Sequence, residues 1–228
     1  MKKFLFSVLT FLFLLTSCAA NPKPSAPVKA NAISVSSSAC KPVEYSQQQF
    51  DCIGTLPQTL QDVEDRSDCI VQGVLQDDAK PNIQYMEVTL SSGKEQQVPT
   101  FGTTVSTLKV TKTYKGNLKE GDTIPLGEEY FCIDYSDKKM VCYDGNYLPS
   151  KTGKEYLFFL VDRMSETAWW GGDYLPLDCE LGRYPVVKQN SVRAQSIDSM
   201  SNEELNLGKD DAAHYKSIYK EVIVKYMS

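Results

Sequence analysis

The chain has 228 residues, 42% apolar and 11% aromatic, so it is neither collagenous nor disordered in composition and can bury a core of ordinary size. With 24 basic against 29 acidic side chains, a net charge of -5 and no long basic run, it excludes a nucleic-acid backbone as its main partner. A single histidine, His214, rules out every two-histidine metal site and leaves any histidine-dependent triad hanging on that one residue.

Residues 1–17 have the layout of a secretory signal: Lys2 and Lys3, an apolar stretch from Phe4 to Leu15, then Thr16 and Ser17. That stretch is too short for the roughly 20 residues a spanning helix needs. Leu15-Thr16-Ser17-Cys18 resembles the lipobox of bacterial lipoproteins. The resemblance implies cleavage before Cys18, diacylglycerol on its thiol and a further acyl chain such as palmitate on the new amine. Two or three such chains, at roughly 0.8 kcal/mol per buried methylene, anchor a protein to the membrane lastingly. The expected location is therefore extracytoplasmic, lipid-anchored to the cell membrane. Ala19 in place of Asp after the cysteine resembles the pattern sent to an outer membrane where the host has one. The alternative is cleavage near Ala20, leaving a freely secreted protein.

Residues 18–39 follow as the lipidated N-terminus and a linker, with Pro22, Pro24 and Pro27 and then Ser36, Ser37 and Ser38, and no apolar period. Residues 40–228 form one domain. Asp68 to Leu75 is short and β-rich. From Val105 to Tyr114, Leu108, Val110 and Tyr114 share one face while Thr107, Lys109, Thr111 and Thr113 share the other, the period of a half-buried strand. Lys115-Gly116-Asn117 and Glu120-Gly121-Asp122 read as turns before a strand over Thr123 to Leu126. Tyr130 to Asp134 and Met140 to Tyr143 flank Tyr135 to Lys139 as a hairpin, and the apolar run Glu155 to Val161 predicts a strand covered on both faces. Trp169 and Trp170 precede a loop at Gly171-Gly172, and Leu181 to Val186 predicts a turn into a last strand with Arg183 at the surface. Finally Ala212, Tyr215, Ile218, Tyr219, Val222, Ile223 and Tyr226 recur at three and four residues, an amphipathic helix whose stripe is read as core packing, with partner docking as the alternative.

Mainly β structure, some five strands and a terminal helix, predicts a small, partly open five-stranded β-barrel with a C-terminal amphipathic α-helix. Asp68 to Gly73, Val105 to Asp122 and Gly153 to Leu160 resemble the netrin and metalloproteinase-inhibitor (NTR/TIMP-like) superfamily of OB-like barrels, with a strand of the type "V.V..V.KG.LK.GD" followed by "G..YL.FL". The inhibitor branch chelates a protease zinc through a free N-terminal cysteine amine. Here Cys40 lies inside the chain and offers an amide nitrogen, so the resemblance carries the barrel and not the inhibition.

Six cysteines remain after Cys18, with no C-x-x-C, and export makes disulfides the expectation. Six cysteines permit fifteen connectivities; Cys132 and Cys142 flank the hairpin and are the first choice of pair across it, and Cys40 with Cys52 and Cys69 with Cys179 follow by elimination. No G-x-S-x-G, H-E-x-x-H, phosphate-loop or dinucleotide motif is present. His214 is read as packed or at the solvent edge. The pairs Asp77-Asp78, Glu128-Glu129 and Asp210-Asp211 are read as solvated acids, because neighbours in a strand or helix point apart. No catalytic, metal or cofactor site is expected. Trp169, Trp170 and Tyr174 are the partner-binding candidates, a platform for protein or sugar, while closure of the barrel end is the preferred reading of the tryptophan pair. The sequence thus points to a membrane-anchored, non-catalytic binding module for an envelope protein. Inhibition of an envelope metalloprotease, or binding of a small molecule or glycan, are the alternatives.

Overall fold

In a computed structural model the chain is described over residues 41–48, 55–187 and 194–227, all within the unit Cys40–Ser228. Cys18, Cys40 and Cys52, with the lipidation and the Cys40 to Cys52 pairing, lie outside the described residues. In chain order the strands are β1 (Val43–Gln48), β2 (Cys69–Leu75), β3 (Lys80–Thr89), β4 (Glu95–Lys115), β5 (Thr123–Glu128), β6 (Tyr130–Asp134), β7 (Lys139–Asp144), β8 (Glu155–Asp162), β9 (Tyr174–Pro176) and β10 (Arg183–Pro185). The helices are α1 (Leu60–Arg66), α2 (Thr167–Trp170), α3 (Asn202–Leu205) and α4 (Ala213–Tyr226).

Five of these strands close an OB-like barrel in the order β8-β2-β4-β5-β9 and back to β8. All neighbours are antiparallel except β5 and β9, which run parallel through the single pair Leu126 and Tyr174. The apolar run of β8 explains its central place. Tyr156, Phe158 and Leu160 point into the barrel with Val71, Leu108, Val110 and Leu126, while Leu157 and Phe159 point outward beneath α4. A strand whose two faces are both covered needs no polar alternation. The stripe of α4 is core as expected: Tyr215, Ile218, Tyr219 and Val222 lie buried on Phe159 and Tyr184. Each such side chain contributes about 1.5 to 3 kcal/mol through burial. Asp211 accepts from the Ala213 N–H at 3.0 Å and so satisfies one open donor of the first turn.

Two additions depart from the expectation. β4 is twice as long as its apolar pattern, and its first half pairs with β3 as a two-stranded arm, turning at Gly93 with φ +76°. β1, β7 and β6 form a separate three-stranded sheet, with β1 parallel to β7. The expected hairpin is present as β6 and β7, but its turn is tighter, because the Tyr135 N–H already bonds the Lys138 carbonyl at 2.8 Å. That one-residue shift sets Cys132 opposite Val141 and Cys142 opposite Phe131. Side chains one residue out of register leave from opposite faces, so the Cys132 to Cys142 pairing is not made. Cys69 and Cys179 are not joined either: Cys69 Sγ lies 3.7 Å from Asn117 Oδ1, and Cys179 sits in an acidic cluster. All four described cysteines are free thiols.

Candidate functional site

The two tryptophans form the end of α2, fixed to the foot of the β3–β4 arm. Asn82 of β3 donates to the Trp169 carbonyl at 2.8 Å, and Thr103 of β4 donates to the Trp170 carbonyl at 2.6 Å. Gly171 then takes φ +76°, and Gly172 passes so close to β5 that an added Cβ would stand 2.4 Å from the Gly127 nitrogen. These contacts hold the two rings in different environments. Trp169 stacks on Phe101 with centroids 5.7 Å apart and planes 15° apart, and remains 53% exposed. Trp170 meets the edge of the same Phe101 at 5.3 Å and donates from Nε1 to Glu166 at 2.9 Å. The expected pair is therefore one exposed ring and one half-buried ring. Tyr174, the third candidate, is wholly inside the barrel and cannot meet a partner. Phe101 takes its place, a residue whose distance in sequence hid it.

The arm extends this surface. Met86 follows Asn82 and Gln84 on the tryptophan face of β3, while its neighbour Tyr85 leaves from the other face; both are more than half exposed, and β3 pairs only with β4 among the described strands. Such an edge offers open backbone donors and acceptors together with apolar side chains.

Beside Trp170 a cavity of about 120 Å³ runs inward past Arg163 to Glu129, Asp144 and Cys179. The ligating atoms of these three lie within 4.8 Å of one another, two carboxylates and a thiol of the types that could hold a cation. A proton satisfies the same group. The Cys179 thiol donates to Glu129 Oε2 at 2.6 Å and lies 3.8 Å from Asp144 Oδ2. Burial first, and then the charges of Asp144 and Asp178, push the Glu129 carboxyl up to about 7, against the Cys179 hydrogen bond. Burial also pushes the Cys179 thiol well up, so it stays a protonated donor. Asp178 and Cys179 both hold positive φ, 40° and 52°, conformations that cost non-glycine residues energy.

The remaining candidates are structural. Glu128 and Glu129 do point apart, but neither is a solvated acid. Glu128 is buried and accepts from the Tyr147 hydroxyl at 2.6 Å and the Ser150 N–H at 3.1 Å. Arg183, expected at the surface, is instead wholly buried 3.9 Å from Glu128. Its guanidinium donates to the Leu148 and Asn206 carbonyls at 2.6 and 2.8 Å and lies over the Tyr147 ring. A planar five-donor cation fits such a site where lysine would not. Asp78 binds the Thr107 hydroxyl and N–H, which lower its carboxyl below the usual range. A ring nitrogen of His214 meets the Pro57 carbonyl at 2.7 Å and ties α4 to the segment before α1.

Among the described residues no helix is long and apolar enough to cross a membrane. Comparison with protein-family models, with curated proteins and with solved structures finds no match for this chain.

Proposed function

We propose that the protein is a lipid-anchored extracytoplasmic binding module that holds a protein partner of the cell envelope on the face made by Trp169, Phe101 and the β3–β4 arm. The observation that carries this reading is the exposed Trp169 ring, stacked on Phe101 and tied by two backbone carbonyls to the foot of an arm that itself exposes Tyr85 and Met86. Leaving a rigid indole half in water forgoes burial energy that a partner would recover, and tryptophan is enriched where a few residues dominate an interface. The lipobox at Leu15 to Cys18 and the proline- and serine-rich linker supply the anchor and its reach. The open edge of β3 supports recognition of an extended segment by strand addition.

The test is site-specific photocrosslinking from position 86, on the tryptophan face of the arm, of the mature lipoprotein in native membranes, with and without Trp169→Ala. A single crosslinked protein that disappears in the variant, while its melting temperature holds within a few degrees, supports the reading. Crosslinks unchanged by the substitution overturn it.

A further inference from the structure

A second concavity is unrelated to the tryptophan face. It lies between the β1–β7–β6 sheet and the segment from α3 to Asp210, and encloses about 620 Å³. That is within the range of small-molecule sites and roomy enough for a short oligosaccharide. Its walls are fixed by the fold. Tyr45 of β1 and the buried Tyr143 of β7 meet edge to face, with centroids 6.5 Å apart. Asn206 turns the chain at φ +60°, the Leu207 N–H returns to the Asn202 carbonyl at 2.8 Å, and Leu207 bridges to Tyr147. Gly208 lets this backbone lie against Tyr143, where a Cβ would stand 3.1 Å from the ring.

The chemistry of the lining is mixed in a specific way. Tyr45 is 57% exposed, an aromatic wall with one open face. The amide N–H groups of Asn202 already serve the Gly208 and Asp210 carbonyls, and those of Asn206 serve Leu148 and Pro149. Asn206 is buried at 5% exposure, whereas the half-buried Asn202 has a side-chain oxygen that accepts nothing among the described residues; with the Glu203 carboxylate that leaves two acceptors on the groove. Lys151 and Lys209 are exposed and make no ion pair among the described residues. Two lysines against one glutamate leave a surplus of one positive charge in a chain whose net charge is -5.

We propose that this groove binds a saccharide carrying a single carboxylate. A pyranose ring lies with its C–H face on Tyr45, its hydroxyls donate to the Asn202 and Glu203 oxygens, and its carboxylate rests on Lys151 and Lys209. The electron-rich face of tyrosine attracts the partly positive C–H hydrogens of a sugar. Two acceptors without matching free amide donors select a ligand rich in hydroxyls. A monoanion matches the surplus charge, whereas a phosphate monoester carries close to two negative charges. A planar nucleobase would favour two parallel rings, and here the rings cross at 68°.

Calorimetry on the mature lipoprotein in detergent at low salt tests this, with a trisaccharide bearing one terminal glucuronate as the probe and its methyl ester as the neutral control. The acid should bind about tenfold more tightly than the ester, one step of 1.4 kcal/mol. The double substitution Lys151→Ala and Lys209→Ala should erase that preference, and Tyr45→Ala should weaken both ligands. Trp169→Ala should leave them unchanged, which separates this site from the protein-binding face. All the substituted side chains are exposed, and an unchanged circular dichroism spectrum confirms folding. Equal affinity for acid and ester, no heat from either at millimolar concentration, complete displacement by inorganic phosphate, or binding indifferent to Tyr45→Ala would each overturn the proposal.

Discussion

Glu129 makes the stability of the domain depend on pH with a sign opposite to that of a salt-bridged carboxylate. Its carboxyl sits among Cys179, Asp144 and Asp178, and is pushed up to about 7 from an ordinary 4.5, first by burial and then by the two aspartates. The folded chain therefore holds this proton more tightly than the unfolded chain does. Stability from this source is complete below the unfolded value and is lost as pH rises toward the folded one. The full difference corresponds to about 3 kcal/mol, and the part released between pH 5 and pH 8 is about 2.5 kcal/mol. Urea unfolding of wild type and Glu129→Gln at those two pH values isolates it, because glutamine keeps the neutral shape and cannot titrate. Wild type should lose about 2.5 kcal/mol more than the variant, and the variant should be the more stable protein at pH 8. Parallel pH dependences in the two proteins would refute the buried-cluster argument. A wild type that gains on the variant as pH rises would show that Glu129 is ionised and paired.

The buried network around Arg183 predicts a loss of about 3 to 5 kcal/mol for Arg183→Met, because the buried Glu128 would be left without its nearby cation. Adding Glu128→Gln should restore part of that loss in the same urea assay; additive effects would show that the pair does not interact. Tyr184 behaves in the opposite sense: its hydroxyl is buried with no hydrogen-bond partner among the described residues, so Tyr184→Phe should be neutral or raise stability by about 1 kcal/mol. A loss of comparable size would reveal a partner for that hydroxyl. The hairpin register predicts that peptide mapping of non-reduced protein contains no Cys132 to Cys142 link, and recovery of that peptide would require the strands to slip by one residue.

What the sequence revealed, and what it hid, follows from where apolar residues are needed. β8 was legible because both its faces are buried, and α4 because its five buried residues fall at helical spacing. The second half of β4 was legible because Leu108 and Val110 enter the barrel. The arm was not: from Lys80 to Thr89 none of the residues is fully buried, and β3 and β4 carry Pro81 and Pro99, residues that sequence patterning disfavours in strands. A ribbon with water on both faces carries no period to detect. The placement of the hairpin cysteines turns on a single residue of turn length: a loop of Tyr135 to Lys139 would set Cys132 opposite Cys142, but the turn closes on Tyr135 and Lys138 instead. Phe101 beneath Trp169, and the gathering of Glu129, Asp144 and Cys179, depend on contacts between distant segments, and neither leaves a local pattern.

Both candidate surfaces are built on additions to the barrel. Trp169 and Phe101 sit where α2 meets the arm, and the saccharide groove lies between the β1–β7–β6 sheet and the segment after α3. The five barrel strands supply rigidity: their inward side chains fill the interior, and the outward face of β2 and β8 is sealed by α4. A resemblance limited to the barrel strands therefore carries architecture and leaves recognition open, because a packed barrel presents little that a ligand can read. The additions also differ from each other in chemistry: one offers an indole and an open strand edge, the other paired lysines, an amide oxygen and an open phenol ring. Substitutions at Trp169 and at Tyr45 should separate two binding properties while leaving the melting transition of the common barrel in place, since neither ring contributes to the two main cores. Loss of both properties from either single substitution would mean that the two surfaces are coupled through the barrel.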